Sequence, residues 1–202
     1  MHKTWLSLAV LCLGAAAAGC VDVADEGAAV LPAGEVAFPP GRLCGRVYDV
    51  PLETRRLPDF QSLRPFEAMC TDRLDVSLRR GFPGFPGVRG RYEWFGMDLA
   101  GTVDVRAPGA FRFRLTSDDG SRLFIDDALV VDNDGYHDVR TREGTVTLGA
   151  GEHTIRVAFY NGPGPMAMIL EVARPGEPYQ VFRADLPLVG RGEAVAASGA
   201  EP

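Results

Sequence analysis

The chain has 202 residues, with 27 Asp or Glu against 21 Lys or Arg, and its formal net charge at pH 7 is −6. An acidic chain of this kind is a poor candidate for nucleic-acid binding, because contacts to phosphate require a basic face. Once the two ends described below are set aside, about 150 residues remain, which is enough for one domain with a real core.

The N-terminus has the pattern of an export signal. Lys3 precedes an apolar run over residues 5–13 that is too short to cross a bilayer. The sequence Ala-Ala-Gly directly before Cys20 resembles a lipobox, although Ala17 stands where leucine is preferred. We therefore predict a signal peptide over residues 1–19 and a lipidated Cys20. The alternative is an ordinary signal cleaved nearby, with Cys20 incidental.

The lipid on Cys20 would attach the protein to a membrane of the bacterial cell envelope, at the outer membrane or the cell surface. Residues 20–40 are rich in Ala, Gly, Pro and acids without periodicity, which predicts a flexible tether. Residues 189–202 have a similar composition and are predicted to be a disordered tail. A single β domain is therefore expected over residues 41–188.

The cysteine count predicts one disulfide bond. Cys12 leaves with the signal and Cys20 would carry lipid, so Cys44 and Cys70 are the thiols that remain in the domain. In an exported protein such a pair is best interpreted as a disulfide, since two isolated cysteines lack the close spacing of a zinc site. On the chain-entropy model the bond contributes roughly 3 kcal/mol to stability.

Residues 51–90 contain five prolines, at positions 51, 58, 65, 83 and 86, which exclude long helices. We interpret this segment as a long excursion pinned by the disulfide. A turn or two of helix is possible over residues 60–69.

Strand patterns dominate the rest of the domain. Leu99, Val103 and Val105 alternate with polar residues, and the run from Phe111 to Leu115 alternates with arginines. Residues 123–125 and 129–131 flank a turn at Asp126-Asp-Ala, which predicts a hairpin. Further strands are predicted over residues 145–148, 154–160 and 166–172. Short strands separated by Gly and Pro turns indicate an all-β fold, an antiparallel β-sandwich or barrel.

Two adjacent carboxylates, Asp118 and Asp119, end one of these strands. Consecutive side chains of a regular strand point to opposite faces, so the pair can reach one cation only if the backbone between them bends abnormally. The alternative is a plain β-turn, since Asp and Gly favour turns and Asp side chains cap local amides.

Three blocks of the sequence resemble the PA14 domain, close to its fibro-slime-type bacterial branch. They lie in the family's order and spacing, from Phe113 to Asp126, from Leu129 to Gly135 and from Gly144 to Tyr160. Leu57-Pro-Asp-Phe60, Gly84-Phe-Pro-Gly-Val88 and Arg91-Tyr-Glu-Trp-Phe95 are also similar to that branch. The resemblance covers roughly residues 43–174 and implies a β-sandwich of the PA14 kind.

The resemblance also implies a calcium site. In the lectin-like members of the family, calcium is held by two adjacent aspartates joined by a cis peptide and by an asparagine in a later loop. The aspartates correspond to Asp118 and Asp119 here, and the asparagine corresponds to Asn161. Calcium prefers six to eight oxygen ligands, and in those lectins two of them are sugar hydroxyls. The ligand-binding residues implied here are Asp118, Asp119, Asn161, Gly162 and Pro163. Residues 162–165 lack the aromatic residue that packs on the sugar in some adhesins, so the choice of sugar stays open.

The predicted function is therefore calcium-dependent binding of carbohydrate or an extracellular polymer, in the manner of a lectin or adhesin. The alternative is a non-catalytic structural or protein-interaction module of the envelope or matrix, without a sugar site. Asp132-Asn-Asp-Gly135 is not an EF-hand loop, because Val130 stands where an acid is required. We interpret it as a turn leading to Tyr136 and His137, near the rim of the site.

Catalysis is not expected. Ser117 and His137 lack the Gly-x-Ser-x-Gly turn that would hold a serine nucleophile. Glycoside hydrolysis needs two carboxylates roughly 5 to 9 Å apart across the bond, and adjacent aspartates in one turn cannot flank it.

Overall fold

The computed structural model describes residues 29–31, 39–81, 83–174 and 176–189, with backbone only for the first range. The predicted signal peptide and Cys20 lie outside these residues, as does the predicted tail beyond residue 189. Within this part of the chain, no helix has the length and apolar character required to cross a membrane.

In the described ranges, twelve strands form two antiparallel sheets, which confirms the predicted all-β fold. The strands are β1 Ala29–Leu31, β2 Leu43–Asp49, β3 Pro65–Thr71, β4 Asp75–Arg80, β5 Phe95–Val105, β6 Gly109–Asp118, β7 Ser121–Ile125, β8 Ala128–Asn133, β9 Arg140–Leu148, β10 Gly151–Asn161, β11 Pro165–Ala173 and β12 Gln180–Val181. The larger sheet has the order β1-β3-β2-β5-β10-β7-β8. The smaller sheet has the order β12-β11-β6-β9, and β4 also pairs with β11.

The core lies between the two sheets and follows from the alternation seen in the sequence. On β5, Leu99, Val103 and Val105 are buried, whereas the intervening Asp104 is exposed. Phe113 of β6 is buried in the same core. Because successive side chains of a strand point to opposite faces, one face of each strand packs on the core and the other meets solvent.

The Pro-rich segment is more regular than the sequence indicates. Residues 65–71 and 75–80 are strands β3 and β4, and a 3-10 turn spans Phe60–Ser62. Cys44 and Cys70 face each other on β2 and β3 and form the predicted disulfide. The excursion therefore contributes one strand to each sheet, with the disulfide joining two neighbours of the larger sheet.

Part of the predicted tether is paired with the sheet. Ala29–Leu31 forms β1, which lies antiparallel to β3 with Ala29 opposite Cys70. At the C-terminal end, Leu188 bridges to Val105 and Val189 is buried.

Four chain segments cross between the sheets at one end of the sandwich. They are the links β4–β5, β6–β7, β8–β9 and β10–β11, in each of which one strand belongs to the smaller sheet and the other to the larger sheet. The predicted hairpin β7–β8 turns at the opposite end, through Asp126 and Asp127 with φ of 47° and 62°. The candidate site lies among the four crossing segments.

Candidate functional site

Sheet register brings Asp119 and Gly162 together. Phe159 of β10 lies opposite Ser121 of β7, and Ala167 of β11 lies opposite Asp118 of β6. The β6–β7 and β10–β11 links must therefore run side by side. The Gly162 N–H donates to Asp119 Oδ2 at 2.7 Å, across 43 residues of sequence. The peptide bond between Asp118 and Asp119 is cis, as the family resemblance implies.

Both carboxylates are buried, with 5% of Asp118 and 2% of Asp119 exposed. Burial raises the pKa of Asp118 to about 6, and the neighbouring charge of Asp119 acts in the same direction. Burial also raises the pKa of Asp119, although its two backbone hydrogen bonds, from Gly162 and His137, oppose that shift. None of the ion pairs formed among the described residues includes either aspartate. Two costly negative charges thus meet without a directly paired cation.

Asn161, next to Gly162 in sequence, carries a buried acceptor without a partner among the described residues. Its Nδ2 donates to the carbonyl oxygens of Tyr92 at 3.1 Å and Gly162 at 2.9 Å. Because both partners are acceptors, the amide orientation is fixed, and Oδ1 is the atom left over. Asn161 is fully buried, and Oδ1 has no hydrogen-bond partner in the described part of the chain. A buried carbonyl oxygen without a partner is costly unless a donor or a cation meets it.

The β8–β9 link supports Asp119 from the other side. The backbone N–H of His137 donates to Asp119 Oδ1 at 3.1 Å. In the His137 ring, Nδ1 lies 2.8 Å from the Asp138 carbonyl oxygen and Nε2 lies 2.9 Å from the Asn133 carbonyl oxygen, so either nitrogen has an acceptor when it carries the proton. Asn133 is fully buried, and its Nδ2 donates to Ser117 Oγ at 2.9 Å. His137 therefore positions Asp119 directly through its backbone N–H, and Asn133 supports the same region through Ser117.

Sequence reasoning missed the supporting roles of Asn133 and Asp134. The Asp134 carboxylate accepts from the Leu57 N–H at 2.7 Å and pairs with Arg122 at 3.2 Å. The signal was present in Asp132-Asn-Asp-Gly135, which fails as a calcium loop of its own. In the structure, Asn133 of this run holds Ser117, and Asp134 holds Leu57, next to the Asp118–Asp119 link.

The rim of the site is formed by Gly162, Pro163 and Tyr136. Gly162 is buried, but Pro163 beside it is exposed. Tyr136 is 48% exposed, and its ring lies within 3.4 to 3.5 Å of the point that a Gly162 side chain would occupy. Two hollows of the surface, one beside Phe85 and one beside Pro187, include none of these residues.

The residues fit a hard cation that takes oxygen ligands. Asp118 and Asp119 offer carboxylates, and Asn161 offers the unpartnered amide oxygen, the donor types that calcium prefers. The described residues contain no group of three or more His, Cys, Asp or Glu side chains placed to hold a metal. The five oxygens of these three side chains are fewer than the six to eight that calcium takes, so backbone, water or ligand oxygens would supply the rest.

Residues 86–185 match the model of the PA14 domain family. No curated protein matches the chain.

Among solved structures, the chain is similar to the PA14 sugar-binding domain from an RTX adhesin, with a TM-score of 0.61 and 18% identity over 75% of this chain and 100% of that one. It is also similar to the PA14 domain of the MpAFP antifreeze protein, with a TM-score of 0.60 and 17% identity over 76% and 93% of the two chains. The Epa6A domain from Candida glabrata, solved in complex with Galb1-3GlcNAc, gives a TM-score of 0.52 at 15% identity over 80% and 92%. At these identities the likeness establishes the fold.

Proposed function

This chain is a member of the PA14 domain family, and we propose that it is a calcium-dependent carbohydrate-binding module of the lectin or adhesin kind. Asp118, Asp119 and Asn161 would hold the ion, with Gly162 and Pro163 beside the bound sugar. When bound, calcium would supply a Lewis-acidic centre for two hydroxyl groups of a sugar. Cys20, once lipidated, would hold the exported domain at the cell surface.

The observation that carries this proposal is the bare Oδ1 of Asn161. That oxygen is buried without a partner, while both donors of the same amide are fixed by carbonyl oxygens. Two carboxylates with raised pKa values are buried in the same part of the fold. The burial of these polar groups costs free energy, which a bound cation would offset. A plain β-turn gives no reason for three buried, acceptor-rich side chains at one place.

The sugar-binding part of the proposal draws support from two structural neighbours. One is described as the sugar-binding domain of an adhesin, and another was solved with a disaccharide. We propose a binding role and no catalysis, because adjacent aspartates cannot flank a glycosidic bond.

A glycan array probed with and without a calcium chelator tests this function. We expect binding to at least one class of glycan in calcium, and its loss in chelator and in the Asp119→Asn variant. Asp104→Asn is the matched control, because Asp104 lies at the opposite end of β5 and is exposed. Binding that survives both chelator and Asp119→Asn would contradict the proposal. Calcium binding without any glycan would favour the structural or protein-interaction module instead.

A further inference from the structure

An arginine and a tyrosine stand together at the rim of the site. The Arg55 guanidinium carbon lies 5.1 Å from the centre of the Tyr136 ring, within reach of a cation–π contact. The same ring packs next to Gly162 and, through it, next to Asp119 Oδ2, which is 3.2 Å from the point where a Gly162 side chain would begin. Arg55 thus belongs to the surroundings of the candidate site although it lies 63 residues before Asp118 in sequence.

The segment that carries Arg55 is attached to the site. The Leu57 N–H, two residues further on, donates to Asp134 Oδ1 at 2.7 Å. Asp134 belongs to the β8–β9 link, which also carries Tyr136 and His137. Residues 55–57, just before the short 3-10 turn, therefore form one wall of the rim and are called the wall segment. Their sequence alone does not reveal this place in binding.

Arg55 differs from the other arginines that lie over aromatic rings. Those others are Arg91, Arg112, Arg114 and Arg156. Each of them donates to an oxygen within the domain, for example Arg156 to both carboxylate oxygens of Asp98 at 2.7 and 3.0 Å. Arg55 is exposed and takes part in none of the side-chain hydrogen bonds or ion pairs seen among the described residues. Its fork of donors is therefore available to a ligand.

The chemistry of a free guanidinium beside a calcium site selects an anion. Arginine binds carboxylate and sulfate through two parallel hydrogen bonds, and a stacked ring holds the guanidinium plane in place. Because the chain as a whole is acidic, general attraction does not draw anions to it, and the effect must be local. A sugar that carries an acid group would present hydroxyls to the ion and the acid to Arg55.

We infer that Arg55, oriented by Tyr136, is a specificity-determining residue that makes this site prefer acidic saccharides, uronic or sulfated, over their neutral counterparts. The inference rests on the proposed function, since it concerns the sugar bound at that site. It assigns Arg55 and Tyr136 no part in holding the metal.

Calorimetry with matched sugars tests the inference on the full chain in calcium. The probes are the methyl glycosides of glucose, galactose and mannose, each beside its uronate and its 6-sulfate. We expect the acid to bind about tenfold more tightly than its neutral partner in at least one series. Comparison of the uronate with the sulfate then shows which acid the site takes.

Two variants separate Arg55 from the ion as the source of the preference. Arg55→Gln and Tyr136→Ala should both reduce the acid-to-neutral ratio to within about twofold. Arg106→Gln is the matched control, because it removes the same charge at the far end of β5, from an arginine that is 56% exposed. The control should keep the tenfold ratio. Circular dichroism checks that each variant is folded.

The possible failures are distinguishable. If a neutral sugar binds in a calcium-dependent way and its acid binds no better, the preference is refuted and the proposed function stands. If the acid is preferred and Arg55→Gln keeps the preference, calcium alone holds the acid and the role of Arg55 is refuted. If none of these sugars binds in calcium, the preference is refuted, and the glycan array decides the proposed function separately.

Discussion

The carboxyl of Asp118 gives the site a pH dependence in the absence of metal. Its pKa is raised from 3.8 to about 6, first by burial and then by Asp119. Between these two values the folded protein binds a proton that the unfolded chain releases, so the free energy of unfolding falls as pH rises. We predict a loss of at most about 3 kcal/mol from this carboxyl between about pH 4 and pH 6. Urea unfolding of chelated protein at several pH values measures it.

The Asp118→Asn variant is the reference for this measurement. Asp126, Asp132 and Asp185 have lowered pKa values, which make the protein more stable as pH rises through the acid range. The difference between wild type and variant removes their contribution. A difference that stays constant between pH 4 and pH 6 would show that Asp118 is not held in a costly environment.

Gly162 is a residue whose lack of a side chain the site requires. A Cβ there would lie 3.2 Å from Asp119 Oδ2, which is tighter than ordinary contact, and 3.4 Å from the Tyr136 ring. We predict that Gly162→Ala weakens calcium binding about tenfold, because Asp119 must shift to make room. Calorimetry with calcium measures the change.

Gly149→Ala is the control for that substitution. Gly149 lies between β9 and β10 at the other end of the sandwich, and a Cβ there meets nothing within 4 Å. Its variant should bind calcium as the wild type does. Equal affinity of the two variants would mean that Gly162 does not set the position of Asp119.

At the scale of elements, the disulfide ties β2 to β3. The bond closes a loop with a sequence separation of 26 residues, which contains the wall segment and the short 3-10 turn. We predict that Cys44→Ala/Cys70→Ala lowers the free energy of unfolding by about 3 kcal/mol, on the chain-entropy model. Urea unfolding of the oxidised wild type and the double variant gives the difference.

Reduced wild-type protein provides the second reference for the disulfide. It should unfold close to the double variant, since both lack the crosslink. A double variant that is as stable as the oxidised wild type would show that the pairing of β2 with β3 already holds the loop.

The strands of the domain were readable from sequence because their side-chain pattern is local. Alternation on β5 and β6 predicts which residues are buried, and the turn at Asp126–Asp127 predicts the hairpin whose strands it connects. Strands β3 and β4 escaped notice because prolines at both of their flanks suggested irregular chain. Proline at the first position of a strand, as at Pro65, is compatible with pairing.

At the scale of the whole molecule, the site depends on the order of strands in the sheets. Asp119, His137 and Gly162 lie on three different links, and hydrogen bonds join them because these links cross between the sheets at one end. Strand order is a long-range property, so local patterns do not predict it. The predicted ligand set came from the family resemblance, whereas the supporting roles of Asn133 and Asp134 follow only from the structure.

The binding rim likewise combines distant parts of the chain. The wall segment before the 3-10 turn and the β8–β9 link join through the Leu57–Asp134 hydrogen bond, and the β4–β5 link joins through the Tyr92 carbonyl. The ion would therefore hold together links that belong to different strands. Binding of this kind stabilises the folded domain by mass action.

Calorimetric titration of the chelator-treated domain with calcium tests the central claim most directly. We predict one calcium ion per chain for the wild type, and for Asp104→Asn the same affinity. Asp119→Asn and Asn161→Ala should each weaken binding at least tenfold, because the first removes a carboxylate charge and the second removes the amide oxygen. Absence of calcium binding by the wild type, or unchanged affinity in Asp119→Asn, would contradict the account.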